Sequence, residues 1–360
     1  MQIKKLKLNN FRNFADGDIS INEGTTVFYG GVGEGKTNII EAVFLLSVGR
    51  SYRTSENQQL ISWGKSEAYV RGEGQNSSGS LAVAIKISKD SKRIEMNGEN
   101  NKRSIELIGG LRSVIFHSDD VWMISGAPHH RRRFLDIAIS QSSKNYAYNL
   151  RDYYRVLKQR NAVLSSGKQD AGEWDEQLST LGCWITQVRK NVLNEITNNA
   201  VNIMSSLAGN AKKLEIKYVP SGDEDHEVFK MKLAKAAYID AARGSTSVGP
   251  HRDDVKILLD GADARHFASS GEKKTIALSM KMAEVELIRS VTSEKPILLL
   301  DDVFSTLDAK RSKALLSATG DGSQCIITLT DIKFMREEFR TGSSLYEVKD
   351  GRIRQSEAKE

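Results

Sequence analysis

The stretch FYGGVGEGKTNIIEAVFLLSV, residues 28 to 48, constrains this chain more than any other. Gly30, Gly35, Lys36 and Thr37 fit the P-loop spacing GxxxxGK[ST], and the apolar residues on either side predict a strand, a loop and a helix from Lys36 to about Val48. Loop glycines let backbone N–H groups close on phosphate oxygens, because a Cβ would block the approach. Lys36 supplies charge opposite the β- and γ-phosphates, and the Thr37 hydroxyl is placed for Mg2+. Gly30, Gly31, Val32, Gly33, Glu34, Gly35, Lys36, Thr37 and Asn38 are therefore the expected nucleotide-binding set, with ATP and Mg2+ as cofactors. A chance match somewhere in the chain is on the order of one in a hundred from average residue frequencies.

A P-loop needs an acidic partner, and PILLLDDVFSTLD (296 to 308) offers one at the end of an apolar strand. Asp301 is placed to hold Mg2+ and Asp302 to position or activate the attacking water. Asp302 and Lys36 are thus the candidate catalytic residues, and Thr37 and Asp301 the candidate metal ligands. Upstream, FASSGEKKTIALSMKMAEVE (267 to 286) sets Ser269 and Gly271 at the start of an amphipathic helix, a second N-terminus suited to anions. In isolation Ser269 reads as an ordinary N-cap. Directly before the Asp301 strand it joins the nucleotide-binding set.

The 360 residues, 39% of them hydrophobic, suffice for a sizeable core and more than one domain. No apolar stretch is long enough to cross a bilayer, and the N-terminus alternates like a strand rather than a signal peptide, so no membrane contact and a cytoplasmic location are expected. Cys183 and Cys325 lie far apart in apolar contexts, as core residues do. A net charge of +6 permits a polyanionic partner without requiring one. Strands are expected at 2–8, 14–20, 24–30, 67–72, 81–88 and 92–97, then an Asn97-Gly98 turn and a strand at 102–107. From Pro128 to about Leu207 the pattern is helical, broken by SSGKQDAG at 165–172. Strands return at 213–219, 254–259, 297–300 and 324–329, with a helix near 272–290. The expected organisation is an N-terminal ATPase part (1–125), an inserted helical lobe (126–210) and a C-terminal ATPase part (211–360).

Several segments, in this order, resemble the ABC-type ATPases of the SMC and RecF group, and the RecF family most closely. They are GKTNIIEAVFLLSVGRSYRT, VIFHSDDVWMISGAPHHRRRFLD (114 to 136), LKQRNAVL (157 to 164), GPHRDD (249 to 254), ASSGE and LLLDDVFSTLD. The resemblance implies an α/β fold: an ABC-type P-loop ATPase head, β-rich at its N-terminus with a mainly parallel core sheet, carrying an inserted α-helical lobe. It also implies that Ser269 and Gly271 act in trans, on the γ-phosphate held by a second chain's P-loop, so that ATP binding joins a homodimer. Further implications are binding to double-stranded and gapped DNA, partnership with RecR and RecO, and help in loading RecA at single-strand gaps. Thr328 or Thr330, in TLTD, would sense the γ-phosphate, and Asp308 joins the cofactor-binding set. Val32, Ser118 and Glu272 stand where the family usually has asparagine, proline and glutamine. An inward-pointing Glu272 would repel a γ-phosphate. Asp302 is one methylene shorter than the glutamate of transporter-type sites, so a slow, DNA-stimulated hydrolysis below about one per second is expected. The switch histidine of transporters is absent. Two alternatives stay open: an SMC-like head, for whose coiled coil a block of about 80 residues is short, and an ATP-gated DNA-binding module with negligible turnover.

His129 to Arg133 is a basic run at an expected helix start, readable as a DNA contact or as a structural cluster with Arg132 pairing Asp136. Arg50, Arg53, Lys4, Lys5 and Lys7 are weaker DNA candidates, and His251 and Arg252 in GPHRDD read as architectural. Tyr146, Leu150, Tyr153, Leu157 and Val163 or Leu164 share one helical face, which favours core packing over base stacking.

Overall fold

The segment KTNIIEAVFLLSV is apolar nearly all round, so a helix built from it needs cover on more than one side. The computed structural model describes residues 1–166, 172–208, 212–305, 307–320, 322–334 and 342–356. In chain order it contains β1 (Gln2–Phe11), β2 (Phe14–Ser20), β3 (Thr25–Tyr29), α1 (Lys36–Val48), β4 (Glu67–Asn76), β5 (Gly79–Ser88), β6 (Lys92–Met96), β7 (Glu99–Lys102) and β8 (Ser113–His117). Next come α2 (Trp122–Ser125), α3 (Pro128–Ser142), α4 (Lys144–Ser165), α5 (Gly172–Ala208), β9 (Leu214–Val219), α6 (His226–Arg243), β10 (Asp254–Leu259), β11 (Ala262–Asp263) and α7 (Ala264–Phe267). The chain closes with α8 (Ser270–Thr292), β12 (Ile297–Asp301), α9 (Ala309–Gly320), β13 (Cys325–Leu329), β14 (Ser344–Lys349) and β15 (Arg352–Ser356). Met1–Asp119 and Glu284–Glu360 form one compact unit, and Asp120–Ala283 forms a second.

The first unit supplies α1 with two sheets. One is antiparallel, in the order β2-β1-β4-β5-β6-β7; the other runs β15-β14-β3-β13-β12-β8 and is parallel except for the edge strand β15. The helix packs on β1, β4 and β5 of the first and on β8, β12 and β13 of the second. Ile39, Ile40, Val43, Leu45 and Leu46 are accordingly fully buried. Buried parallel strands carry unbroken apolar runs, and Ile297 to Leu300 has no exposed surface. In β1 the period is two: Leu6 and Leu8 face the core, while the exposed Lys5 and Lys7 sit across from Glu73 and Asp18 on neighbouring strands. Lys7 also lies across from Arg71 of β4, so this face carries both signs of charge. The Asn97-Gly98 turn joins β6 to β7, both residues having positive φ. The strand expected at 102–107 ends at Lys102. Residues Ser104–Leu107 form a 3-10 turn instead, closed locally by Glu106, whose carboxylate accepts from the Arg103 N–H at 3.1 Å.

The second unit is larger than the lobe expected at 126–210. It continues to Ala283 because β9 packs on α5, β10 packs on α3, and the antiparallel sheet β11-β10-β9 thereby belongs with the long helices. Helix α6, absent from the expected elements, packs on α4 and α5. The break expected at 165–172 falls between α4 and α5, and its residues 167–171 lie outside the described residues. Tyr146, Leu150, Tyr153, Leu157 and Leu164 are buried, as core packing requires.

Buried arginines tie this unit together. Arg189 reaches Asp136 at 2.8 Å, Asp253 at 3.0 Å and the Pro250 carbonyl at 2.7 Å; Arg160 reaches Asp175 at 2.7 Å and Asp240 at 2.8 Å. Such pairs hold only when further hydrogen bonds offset the lost hydration, and here Tyr146 and Thr246 provide them. GPHRDD is architectural in detail. His251 bonds the Tyr153 hydroxyl at 2.8 Å and the Thr246 carbonyl at 3.0 Å, and Asp253 also accepts from the Ser221 N–H. The expected Arg132–Asp136 pair is not made, since Asp136 turns to Arg189 and Arg132 donates to the Asp253 carbonyl.

Candidate nucleotide site

Parallel strands that end level with one another present their carboxyl ends as a single edge, the usual place for a ligand in an α/β sheet. Here Asp301 ends β12 level with Thr328 of β13 and His117 of β8, and Leu329 lies level with Tyr29, the residue before Gly30. The P-loop leaves that edge and enters α1. Gly30 and Gly35 have φ of 153° and 113°, and a Cβ at either would collide, with the Val348 carbonyl in one case and the Asn13 side chain in the other. Lys36 donates to the carbonyls of Gly30 and Gly31 at 2.7 and 2.6 Å, which curls the loop around its own ammonium. Burial lowers the Lys36 pKa, opposed by Asp302, Asp301 and Glu34.

Three hydroxyls fix Asp301. Thr37 and Thr328 donate to Oδ1, each at 2.8 Å, and Tyr52 donates to Oδ2 at 3.1 Å. Thr328 also accepts from the Asp302 N–H at 3.0 Å, so one buried hydroxyl ties the Asp301 carboxylate to the Asp302 backbone. Asp302 itself has a left-handed φ of 51°. Its Oδ1 is buried without a hydrogen-bond partner among the described residues, and burial raises its pKa. The glycine cradle, the Thr37–Asp301 pair and the orphaned Oδ1 fit a nucleotide with its divalent cation.

The remaining expected residues divide by what they touch. Val32 stands 88% exposed at the loop tip. Glu34 accepts from the Asp350 N–H, and its carbonyl accepts from Asn13 at 2.8 Å. Asn38 donates to Asn13 and accepts from Arg53, both at 2.8 Å. Asp308 caps α9, accepting from the Arg311 N–H at 2.9 Å and pairing with its guanidinium. Thr330 is half-buried just beyond β13. Asn13 and Tyr52 escaped the sequence reading because their contacts are tertiary; the only local signals were the turn-like NNFRN and the SYR after α1. Arg12 and Arg53 both pair with the fully buried Glu41 of α1, at 2.7 and 3.2 Å.

Ser269 and Gly271 lie in the second unit, at the start of α8. Ser269 and Glu272 form a reciprocal capping box: the Ser269 N–H donates to Glu272 Oε2 at 2.7 Å, and the Glu272 N–H to Ser269 Oγ at 3.3 Å. Lys212 pairs with the other carboxylate oxygen. Lys212 and the Ser269 contacts hold the Glu272 pKa down to about 2. The basic run also divides. Arg131 is buried, bonded to both Asp254 oxygens and to the carbonyls of Met123 and Gly126. Arg132 turns to Asp253, while Arg133 is exposed.

Fold and site together define an ATPase head of the RecF, RecN and SMC class, and residues 2–355 match the family described as RecF/RecN/SMC N terminal domain. A curated DNA replication and repair protein RecF from Clostridium acetobutylicum is 36% identical, over 98% of this chain and 99% of that protein. The solved recombination mediator protein RecF-ATP in RecFOR pathway is 34% identical, with a TM-score of 0.89 over 99% of each chain. The chain belongs to the RecF family of DNA replication and repair proteins. An Smc head domain from Pyrococcus furiosus, 17% identical with a TM-score of 0.56 over 98% of this chain, shares the fold. No helix among the described residues is long and apolar enough to cross a membrane.

Proposed function

We propose that the chain is an ATP-controlled DNA-binding dimer and recombination mediator that helps load RecA at single-strand gaps, and that slow ATP hydrolysis resets it. The observation that carries this reading is the Thr37–Asp301–Thr328–Asp302 cluster beside Lys36, which combines a cation-binding pair with an unpartnered carboxylate oxygen. Bound ATP with Mg2+ supplies an electrophilic phosphorus and the metal charge that stabilises its displacement. Lys36 compensates the polyphosphate charge, and Thr37 and Asp301 hold the cation. Asp302 accepts a proton from water at Oδ1, a role helped by the burial that raises its pKa. Thr328, committed to both aspartates, acts as their brace, which leaves Thr330 as the γ-phosphate sensor.

The dimer follows from the second anion-suited helix start. In the capping box the Ser269 side chain accepts from the Glu272 N–H and also bonds the Glu272 carboxylate, which holds the hydroxyl at the helix start, from where it turns to a phosphate on the partner's P-loop. Contacts made only in the dimer let ATP favour it, and loss of the γ-phosphate removes them. Double-stranded and gapped DNA, RecR and RecO are the partners of this reading, by family.

Ser269→Arg and Lys36→Ala chains test it when mixed, because one composite site of the mixed dimer keeps a sound P-loop and a sound signature. Ser269→Arg alone should bind ATP by calorimetry yet neither sediment as a dimer with ATP nor bind gapped duplex. The mixture should recover part of the ATPase activity. Full activity from a monomeric Ser269→Arg chain would sink the trans arrangement, and unchanged ATP affinity in folded Lys36→Ala would sink the P-loop assignment.

A further inference from the structure

A carboxylate in the first turn of a helix that must receive a phosphate is an electrostatic contradiction. The partial charge at a helix N-terminus is about +0.5, and one glutamate more than cancels it. Glu272 is such a residue, three positions after Ser269.

Both of its carboxylate oxygens are committed. Oε2 takes the Ser269 N–H at 2.7 Å, and Oε1 takes the ammonium of Lys212. Lys212 is not a loose surface side chain that happens to be near. The next residue, Lys213, is bonded in both directions to the turn after β10: its N–H donates to Asp260 Oδ1 at 2.8 Å, and its carbonyl accepts from the Asp260 N–H at 2.9 Å. Those two bonds fix the backbone from which Lys212 extends. Lys273 and Lys274 follow Glu272 in sequence, yet among the described contacts Lys212 alone pairs with it. The pair lies at the surface, with Lys212 42% and Glu272 25% exposed in their side chains.

We infer that Lys212 is a positioning residue for the ATP-bound dimer: it draws the Glu272 carboxylate back onto Ser269 and cancels its charge, so that the start of α8 can face the partner's nucleotide phosphate. This rests on the trans arrangement proposed above. The pair makes the helix start electrically equivalent to one with an uncharged amide at position 272, and keeps the Ser269 cap in place.

The test is a double-mutant cycle read by ATP-dependent sedimentation of the full chain. Lys212→Ala should raise the protein concentration needed for half-dimerisation with ATP about tenfold, the order expected for one uncompensated charge beside a phosphate. Its ATP affinity as a monomer should not change. Glu272→Gln keeps an acceptor for the Ser269 N–H without the charge, so Lys212→Ala,Glu272→Gln should dimerise within about twofold of Glu272→Gln alone. A lysine that merely props up the chain would leave the double variant as defective as Lys212→Ala, and that result overturns the inference. So does wild-type dimerisation by Lys212→Ala. If the wild-type chain shows no ATP-dependent dimer, the trans arrangement itself falls and takes the inference with it; if wild type dimerises and the cycle shows no rescue, only the role of Lys212 falls.

Discussion

Asp302→Asn should slow the enzyme and steady the protein at once, because the carboxylate that suits a general base is one the fold holds at a cost. Its φ of 51° lies in the left-handed region, which asparagine tolerates as well as aspartate, so the backbone has no reason to move. The Asp302 N–H keeps its bond to Thr328. What changes is a charge that burial disfavours. Removing a charge that burial disfavours steadies the fold by an amount on the order of 1 kcal/mol, which for a chain of this size raises the melting midpoint by about 2 °C. Losing the proton acceptor should cut phosphate release by about 100- to 10,000-fold, with ATP affinity by calorimetry unchanged. The sign of the pH effect follows from the raised pKa. The folded carboxyl holds its proton more tightly than the unfolded one, so wild-type stability falls as pH rises from the ordinary aspartate value up through the folded one. The melting advantage of Asp302→Asn should therefore be full above the folded carboxyl's raised pKa and gone below the ordinary aspartate value. Turnover within about threefold of wild type, or a melting point lowered by several degrees, would refute the assignment of Asp302 as the base.

Arg131→Ala should destabilise the second unit by about 3 kcal/mol in urea denaturation, since it strands Asp254 and two carbonyls. Arg133→Ala should lower the salt slope of DNA binding by about one, since Arg133 is exposed on α3. His251, whose pKa burial lowers to about 4, stays neutral in the fold while its unfolded counterpart protonates. Stability of the second unit should therefore drop by about 2–3 kcal/mol as pH falls from about 6.5 to about 4. Acid titration followed by tryptophan fluorescence checks this, and His251→Gln should flatten that interval.

The nucleotide half of the site was legible because its chemistry is local. A P-loop is eight consecutive residues between a strand and a helix, and Asp301 and Asp302 announce themselves at the end of an apolar run. The bracing of those groups was not legible. Tyr52 meets Asp301 across 249 residues of sequence, and Asn13 meets the P-loop through a turn that nothing in its composition links to phosphate. Strands β14 and β15 went unforeseen because SLYEVK and RIRQS are short and mixed, and pairing with β3 decides them. The extent of the second unit was misjudged for a similar reason. Strands β9 and β10 read as ATPase sheet by pattern, but their side chains pack on α5 and α3. The basic run HHRRR could not be resolved by sequence, since Arg131 and Arg133 differ only in which side of α3 they occupy.

The strand before the P-loop has a consequence for how the protein comes into being during translation. Strands β1, β2, β4, β5, β6 and β7, all within residues 2 to 102, find their partners among themselves as they leave the ribosome. Strand β3 cannot: its two neighbours are β13 and β14, some 300 residues later in synthesis. Gly30 rests against Val348, and Glu34 takes the N–H of Asp350. The phosphate cradle written near the start of the message is therefore among the last parts of the protein to close, since parallel pairing across such a span must await both partners. A nascent chain carries the P-loop sequence for nearly the whole of its elongation without the strands that shape it, and a chain cut before β14 would retain the motif and lose the site.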